Sequence, residues 1–476
     1  MTPDTFSFSW AILAGAEPAH EVPLGVTLLF ATLLVGLIVT LALEEKIHAK
    51  KSVIVAVFGI LALLLAEFFG LIHRDIVTIL GHLVELPVYI PGIDWGVIAI
   101  ILGSSIFVDV TSHSGLFTWI AIKLTKASRG DPRQLLIFYG VMTVVFSAVL
   151  NNVTAMIIVG SLTAVSLEKL NRNDKLLGFL LIEGLLTNIG GLLTLISSVP
   201  NIIVGQAAGI SFVTFFIKTV PYVAVATAMT LWMGAKIFSI RRLNSEQEKA
   251  EAAEMVEGFD ENDRITSPGF FWFGAAMLVL FILAIATTST LPYIKDLGMG
   301  FVALFFALMM LLRFKSEADK FYKEVDWDLL AFFAGLFVTI NVMEHAQVLA
   351  LIGKGLDPLI RLKEGFGVGL VLVLSAVFSS VTDNIPLAAM LAKILSASPE
   401  SLQIAYNPKS PFWWAVIFGA NLGGNLTPIG SASTLVAVTI MHKHHLPVSF
   451  ARFVKLAIPF AVAQIALALA YVLLAL

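Results

Sequence analysis

Asp383 lies in Ser379-Ser380-Val381-Thr382-Asp383-Asn384-Ile385-Pro386, a polar run between two apolar arms, Gly367 to Phe378 and Leu387 to Leu395. Each arm is about a dozen residues, short of the roughly 20 that a bilayer crossing needs, so the pair reads as a re-entrant hairpin. Backbone that leaves the helix at membrane depth is tolerated only where protein buries it or it lines a wet cavity, and a carboxyl group there is functional by default. Asp383 can bind a proton or a cation. It can also cap the second arm, with Pro386 in the first turn, and the two roles are compatible because a half-helix end is itself part of an ion site. A second apolar stretch, 134–168, is broken in the same way by Ser147-Ala148-Val149-Leu150-Asn151-Asn152-Val153-Thr154.

Two further polar runs interrupt apolar segments. Asn188-Ile189-Gly190-Gly191-Leu192-Leu193-Thr194 is followed by Ser197, Ser198 and Asn201, and Asn421-Leu422-Gly423-Gly424-Asn425-Leu426-Thr427 by Ser431 and Ser433. If the four runs converge, one half of the chain supplies Asn151, Asn152, Thr154, Asn188, Thr194, Ser197, Ser198 and Asn201. The other half supplies Thr382, Asp383, Asn384, Asn421, Asn425, Thr427, Ser431 and Ser433. Hydroxyl, amide and carboxylate oxygens suit a hard cation such as Na⁺, with Asp383, Asn151 and Asn384 as its ligands. Taken singly, each Asn or Thr is as readily a helix cap or an interhelical hydrogen bond. None of the four runs contains Lys or Arg, whereas a dicarboxylate or phosphate site normally includes such a residue or strong helix N-termini. Glu183, five residues before Asn188, is a second candidate for carrying a proton beside Asp383. Bound Na⁺ is the only cofactor expected, and the absence of Gly-x-Ser-x-Gly and His-Glu-x-x-His patterns speaks against an intramembrane hydrolase.

The elements that must hold these runs are membrane-spanning. Of the 476 residues 58% are hydrophobic and 13% charged, a composition foreign to soluble domains of this length. A net charge of −3 and no basic cluster exclude nucleic acid as a partner, and zero cysteines exclude disulfides and thiolate sites. Apolar stretches of spanning length fall at 23–44, 52–72, 95–112, 176–207, 211–239, 268–290, 298–313, 327–343, 411–440 and 453–475. Lys46, Lys50, Lys51, Arg129, Arg133, Lys169, Arg172, Lys175, Arg241, Arg242, Arg313, Lys315 and Lys443 then collect on one side, the cytoplasm. Both ends of the first hairpin lie inside and both ends of the second outside. The stretches Gly115 to Lys126 and Gln347 to Leu362 read as helices lying in the interface.

The halves repeat. Asp94-Trp95 recurs as Asp326-Trp327, Gly103 as Gly335, His113 as His345, Ser147 as Ser379, and Asn151-Asn152 as Asp383-Asn384, all at an offset of 232. Beyond the hairpins the offset is 233, which places Asn188 on Asn421 and Ser198 on Ser431. Five crossings per unit is odd, so the second copy enters the membrane upside down, as in alternating-access transporters. The expected fold is an all-α polytopic membrane protein of two inverted-topology repeats, with about ten crossings, two re-entrant hairpins and two broken helices. Residues 1–239 form the first half with its N-terminal tail, 240–266 a cytoplasmic linker, and 267–476 the second, inverted half.

On Leu150-Asn151-Asn152-Val153-Thr154, Asn188-Ile189-Gly190-Gly191 with Pro200-Asn201, Asp383-Asn384-Ile385-Pro386 and Gly423-Gly424-Asn425-Leu426-Thr427-Pro428-Ile429-Gly430, the chain resembles the ArsB/NhaD permeases of the ion transporter superfamily. That group includes the melanosomal P protein and is distantly similar to the divalent anion/sodium symporters. The resemblance implies a scaffold and a moving transport part, an elevator-type carrier and a homodimer. It departs from the group's pattern at Asn151-Asn152, where relatives carry Asp-Asn, and at Ser197-Ser198-Val199-Pro200-Asn201, where many carry Gly-Asp-Pro-Pro-Asn. The function expected is secondary active transport: a proton-coupled antiporter of a small inorganic ion, Na⁺ favoured. The alternatives are efflux of arsenite or silicic acid, sodium-coupled transport of a dicarboxylate or other anion, and, from another class, a passive channel. The expected setting is the lipid bilayer of a bacterial inner membrane, with both termini extracytoplasmic and H⁺ or Na⁺ as coupling ion.

Overall fold

The computed structural model describes residues 22–72, 75–79, 82–265, 267–315, 318–362, 364–382, 384–397, 407 and 409–476. Asp383 and most of the N-terminal tail lie outside the described residues. In the first half, α1 (Leu24–Ala42), the single turn α2 (Glu44–Ile47) and α3 (Lys51–Phe68) lead to a β-hairpin, β1 (Asp75–Ile79) and β2 (His82–Leu86). Then come α4 (Trp95–His113), α5 (Leu116–Ala127), α6 (Pro132–Val149), α7 (Asn152–Lys169), α8 (Leu176–Gly190), α9 (Val199–Ala207) and α10 (Phe212–Ile237). A linker helix, α11 (Glu246–Glu257), precedes α12 (Pro268–Thr287), α13 (Ile294–Arg313), α14 (Ala318–Glu324), α15 (Trp327–His345) and α16 (Val348–Ile360). The chain ends with α17 (Glu364–Val381), α18 (Asn384–Ser396), α19 (Pro411–Gly423), α20 (Ala432–Lys443) and α21 (Phe450–Ala475).

Nine of the described helices are long and apolar enough to cross a membrane. One of them is α6, the first arm of the first hairpin; the other eight, with the broken pairs α8/α9 and α19/α20, make the ten crossings expected. The fold is all-helical where it spans. The β-hairpin is the addition: Asp75 pairs with Leu86 and Ile79 with His82 in antiparallel register, and β-branched Ile76, Val77, Thr78 and Val84 favour such a ribbon.

The two repeats are built by the same local chemistry. Asp94 and Asp326 cap α4 and α15, each carboxylate accepting from the third residue on, Val97 N–H at 3.0 Å and Leu329 N–H at 2.9 Å. Ser211 and Ser449 cap α10 and α21, and each of these helices carries an internal proline, Pro221 and Pro459. Packing crosses between the copies: α4 lies on α13 and α15 on α3, while α7 lies on α20 and α18 on α9. Neither half closes its core alone.

Gly190 and Gly423 explain how closely the hairpins dock. A Cβ on Gly190 would stand 2.6 Å from the Val144 carbonyl of α6, and one on Gly423 would collide with the Ala376 carbonyl of α17. Only glycine lets these backbones meet. The contact is then sealed by matching hydrogen bonds: Ser147 Oγ donates to the Thr187 carbonyl and Ser379 Oγ to the Ala420 carbonyl, both at 2.6 Å.

Linker and first half are also strapped together. Lys123 and Lys126 of α5 both pair with Glu261, and Lys169 at the end of α7 sits 4.2 Å from the centre of the Phe259 ring.

Candidate functional site

The helix breaks put a polar layer inside an apolar molecule. Among the described residues, Asn188, Asn201, Asn421 and Asn425 are fully buried, and a buried amide must find partners or cost the desolvation of each unpaired atom. They find them in the opposite repeat. Asn188 Nδ2 donates to Asn425 Oδ1 at 2.8 Å, and Asn421 Nδ2 donates to Asn201 Oδ1 at 2.8 Å. Ser198 Oγ donates to Asn421 Oδ1 at 2.7 Å, and Ser431 Oγ donates to Asn188 Oδ1 at 2.9 Å. The network ends on Gln464 of α21, which accepts from Asn425 at 2.7 Å and donates to Thr230 Oγ1 at 2.9 Å.

The loop threonines close the breaks onto the hairpins. Thr194 Oγ1 donates to the Ala148 carbonyl and Thr427 Oγ1 to the Ser380 carbonyl, both at 2.5 Å. Within the first break Asn201 Nδ2 donates to the carbonyls of Gly191 and Thr194 at 2.6 and 3.0 Å, and Ser197 Oγ donates to the same two. Those carbonyls are therefore engaged by the protein itself.

In front of this layer is a cavity of about 350 Å³. Asn151, Asn152, Thr154, Ser197, Ser198, Asn384, Ser431 and Ser433 line it. The six amides and threonines behind them, Asn188, Thr194, Asn201, Asn421, Asn425 and Thr427, support the wall without reaching the cavity lining. Thr382 is not brought in: its hydroxyl donates to the Phe378 carbonyl at 2.8 Å, and it borders a smaller cleft with Glu44 and Lys51. The cation set of Asp383, Asn151 and Asn384 has its second and third members on the cavity wall, and its first outside the described residues. Glu183 is buried away from the cavity, its Oε1 accepting from Thr163 Oγ1 at 2.6 Å.

Four helices start at this cavity. It is lined by the first turns of α7, α9, α18 and α20. The N-cap Asn151 of α7 accepts from the Thr154 N–H at 2.7 Å. The N-cap serines of α9 and α20, Ser198 and Ser431, cap nothing, because their hydroxyls point across the repeat interface. A helix start carries about half a positive charge, so four starts concentrate about two at one place.

The opposite wall comes from the scaffold. Ser104, Ser105 and Asp109 of α4, Asp326 and Leu329 at the start of α15, and Lys51 of α3 line the cavity. Lys51 is the residue that the motif runs do not reveal; its sequence neighbourhood marks it only as a cytoplasmic flank. Gln464 was legible in principle, since an amide in the middle of an apolar 26-residue helix is itself a signal.

Paired inverted breaks, re-entrant hairpins and a cavity at their meeting point define a polytopic membrane transporter. The chain belongs to the CitMHS family, described as citrate transporters, whose profile matches residues 38–419. An uncharacterised transporter of Mycobacterium tuberculosis is 30% identical over 369 residues, covering 76% of this chain and 82% of that protein. The P protein of Sus scrofa is 25% identical over 516 residues, covering 91% of this chain and 60% of that protein. The match to a P protein agrees with the resemblance read from the motifs. Among solved structures, the YdaH transporter of Alcanivorax borkumensis covers 89% of this chain and 98% of its own at a TM-score of 0.57 and 13% identity, a likeness of fold.

Proposed function

We propose that this chain is a secondary active transporter whose cargo is a small anion, with a carboxylate the best fit, coupled to H⁺ or Na⁺. The observation that carries the reading is the cavity wall of four helix starts, two of them with their serines turned away; opposite lie Lys51, which also pairs with Glu44 at 3.6 Å, and Asp109 and Asp326. A wall of N–H donors and dipole ends binds oxyanions. The sequence favours Na⁺ as cargo because the four polar runs hold no Lys or Arg. Helix N-termini and a lysine from a distant segment supply what those runs lack. The family's description as citrate transporters points the same way. A cation then has the coupling role, with Asp383 as its carboxylate and Asn151 and Asn384 beside it.

In this reading the parts on either side of 240–266 work as two inverted halves. The hairpins and breaks move as one body, and α5 and α16 serve as arms to the scaffold. A homodimer in a bacterial inner membrane, with both termini extracytoplasmic, completes it. Arsenite or silicic acid would meet the same hydroxyls and amides as a neutral cargo, but would make no use of the helix dipoles.

The test is flux into proteoliposomes of labelled citrate, a dicarboxylate, arsenite and Na⁺, under an imposed pH or Na⁺ gradient. Saturable anion uptake that falls in Lys51→Gln is expected. Movement of Na⁺ against a pH gradient with no anion flux would instead make the cation the cargo.

A further inference from the structure

We propose that Glu183 is a proton-binding site served by its own hydroxyl path, Thr163, Ser166, Tyr139 and Thr125, which leads to the end of α5 and bypasses the substrate cavity. The proposal rests on the transporter reading only for its purpose, not for its geometry.

The five side chains are all buried, and none of them lines the cavity. Glu183 Oε1 accepts from Thr163 Oγ1, and its Oε2 has no hydrogen-bond partner among the described residues. A second hydrogen-bonded piece begins one turn along α7 from Thr163, with no hydrogen bond among the described residues joining the two: Ser166 Oγ lies 2.8 Å from the Tyr139 hydroxyl of α6, which in turn lies 2.5 Å from Thr125 Oγ1 of α5. Thr125 is in the last turn of α5, next to Lys126, whose side chain is 31% exposed. The path therefore runs from an intramembrane carboxyl group toward the side where α5 meets residues 240–266, ending at buried Thr125 one residue from Lys126.

The repeat supplies the control. Offsets of 232 and 233 place Val371, Leu395 and Val416 at the positions of Tyr139, Thr163 and Glu183, and all three are buried. At these three positions the second half packs apolar side chains where the first half has an acid and two hydroxyls. Burying Glu183 rather than a valine at this position costs desolvation.

Other charges stay away from Glu183. Tyr139 is the titratable side chain that α6 presents to it. Arg133 is at the far end of α6, Glu168 and Lys169 end α7, and His442 and Lys443 end α20; α19 carries no titratable side chain. Lys218 and Lys236 lie within the first two turns and the last turn of α10, Tyr222 between them donates to the Gln464 carbonyl at 3.0 Å, and Asp174 and Lys175 are in the turn before α8. Proton transfer balances within each piece, each hydroxyl giving its proton to the next oxygen as it takes one from behind; the step between Ser166 and Thr163 needs their hydroxyls to approach across one turn of α7. One proton leaves water at the α5 end and one O–H bond forms on Glu183.

The test does not depend on knowing the cargo. The full chain in liposomes is given a pH jump and followed by infrared difference spectroscopy for a carboxylic acid band. Glu183→Gln, which keeps the size and can still accept from Thr163, is expected to remove one carboxylic acid band from the pH-jump difference spectrum. Tyr139→Phe keeps the ring and is expected to leave that band's amplitude intact while slowing its appearance about tenfold or more. No band lost in Glu183→Gln, or a wild-type rate in Tyr139→Phe, overturns the proposal. Failure of anion flux with both infrared results intact would overturn the cargo reading alone.

Discussion

A serine that begins a helix ordinarily turns its oxygen back onto the first free N–H groups. Ser198 and Ser431 instead donate to Asn421 and Asn188 of the opposite repeat. Each serine therefore ties the repeats together and leaves its own helix start without a side-chain cap. Asn188 is the hub of this arrangement: its Oδ1 accepts from Ser431, Ser433 and Asn152, and its Nδ2 donates to Asn425. Asn188→Ala strands at least two buried polar groups, and we expect it to cost roughly 1–3 kcal/mol, read as a lower unfolding midpoint in detergent. Asn425→Ala should cost a similar amount, and the double variant less than the sum, because the two amides are partners. Asparagines in apolar surroundings were legible in the sequence, since a polar group at membrane depth is conspicuous by type alone. Which of them face the cavity and which brace it was not, because that depends on a neighbour more than two hundred residues away. The same distance hid Lys51.

At the scale of elements, the two glycines of each pair do different work. Gly190 and Gly423 face hairpin backbone, which cannot give way, whereas a Cβ on Gly191 would stand 2.8 Å from the Asn152 side-chain amide. Gly423→Ala is therefore expected to lower the amount of folded protein, measured by monodisperse yield in detergent. Gly191→Ala should fold nearly as well and lose transport, because the displaced Asn152 is on the cavity wall. Equal yields and equal flux for both variants would show that the breaks neither pack nor line the site. The hairpins and breaks could be located from the sequence because Gly-Gly followed by Thr, and Asn after an apolar arm, interrupt segments too short or too long for one crossing. The β-hairpin was not, since its largely aliphatic residues continue the hydropathy of the neighbouring crossings and no membrane pattern constrains the backbone between them.

For the whole molecule, the cavity depends on the second repeat being inverted. The packing is consistent with it: α4 lies on α13 as α15 lies on α3, and α7 on α20 as α18 on α9, so every major contact has a partner related by exchange of the halves. The linker reinforces one side. Two lysines hold the Glu261 carboxyl at about 2, so its contribution is complete above the ordinary carboxylate range and is lost only as pH falls toward 2. The strap therefore persists at neutral pH on the face rich in Lys and Arg, where the first hairpin has both its ends. The second hairpin must then have its ends on the other face. Single cysteines in this cysteine-free chain read this directly. Asn173→Cys, in the exposed turn after the first hairpin, and Lys409→Cys, in the exposed turn after the second, should react with a membrane-impermeant maleimide from opposite sides. In intact cells Lys409→Cys should label and Asn173→Cys should label only after the membrane is opened. Labelling of both from one side would make the repeats parallel, and a site built from four helix starts meeting at mid-membrane from opposite faces could not form.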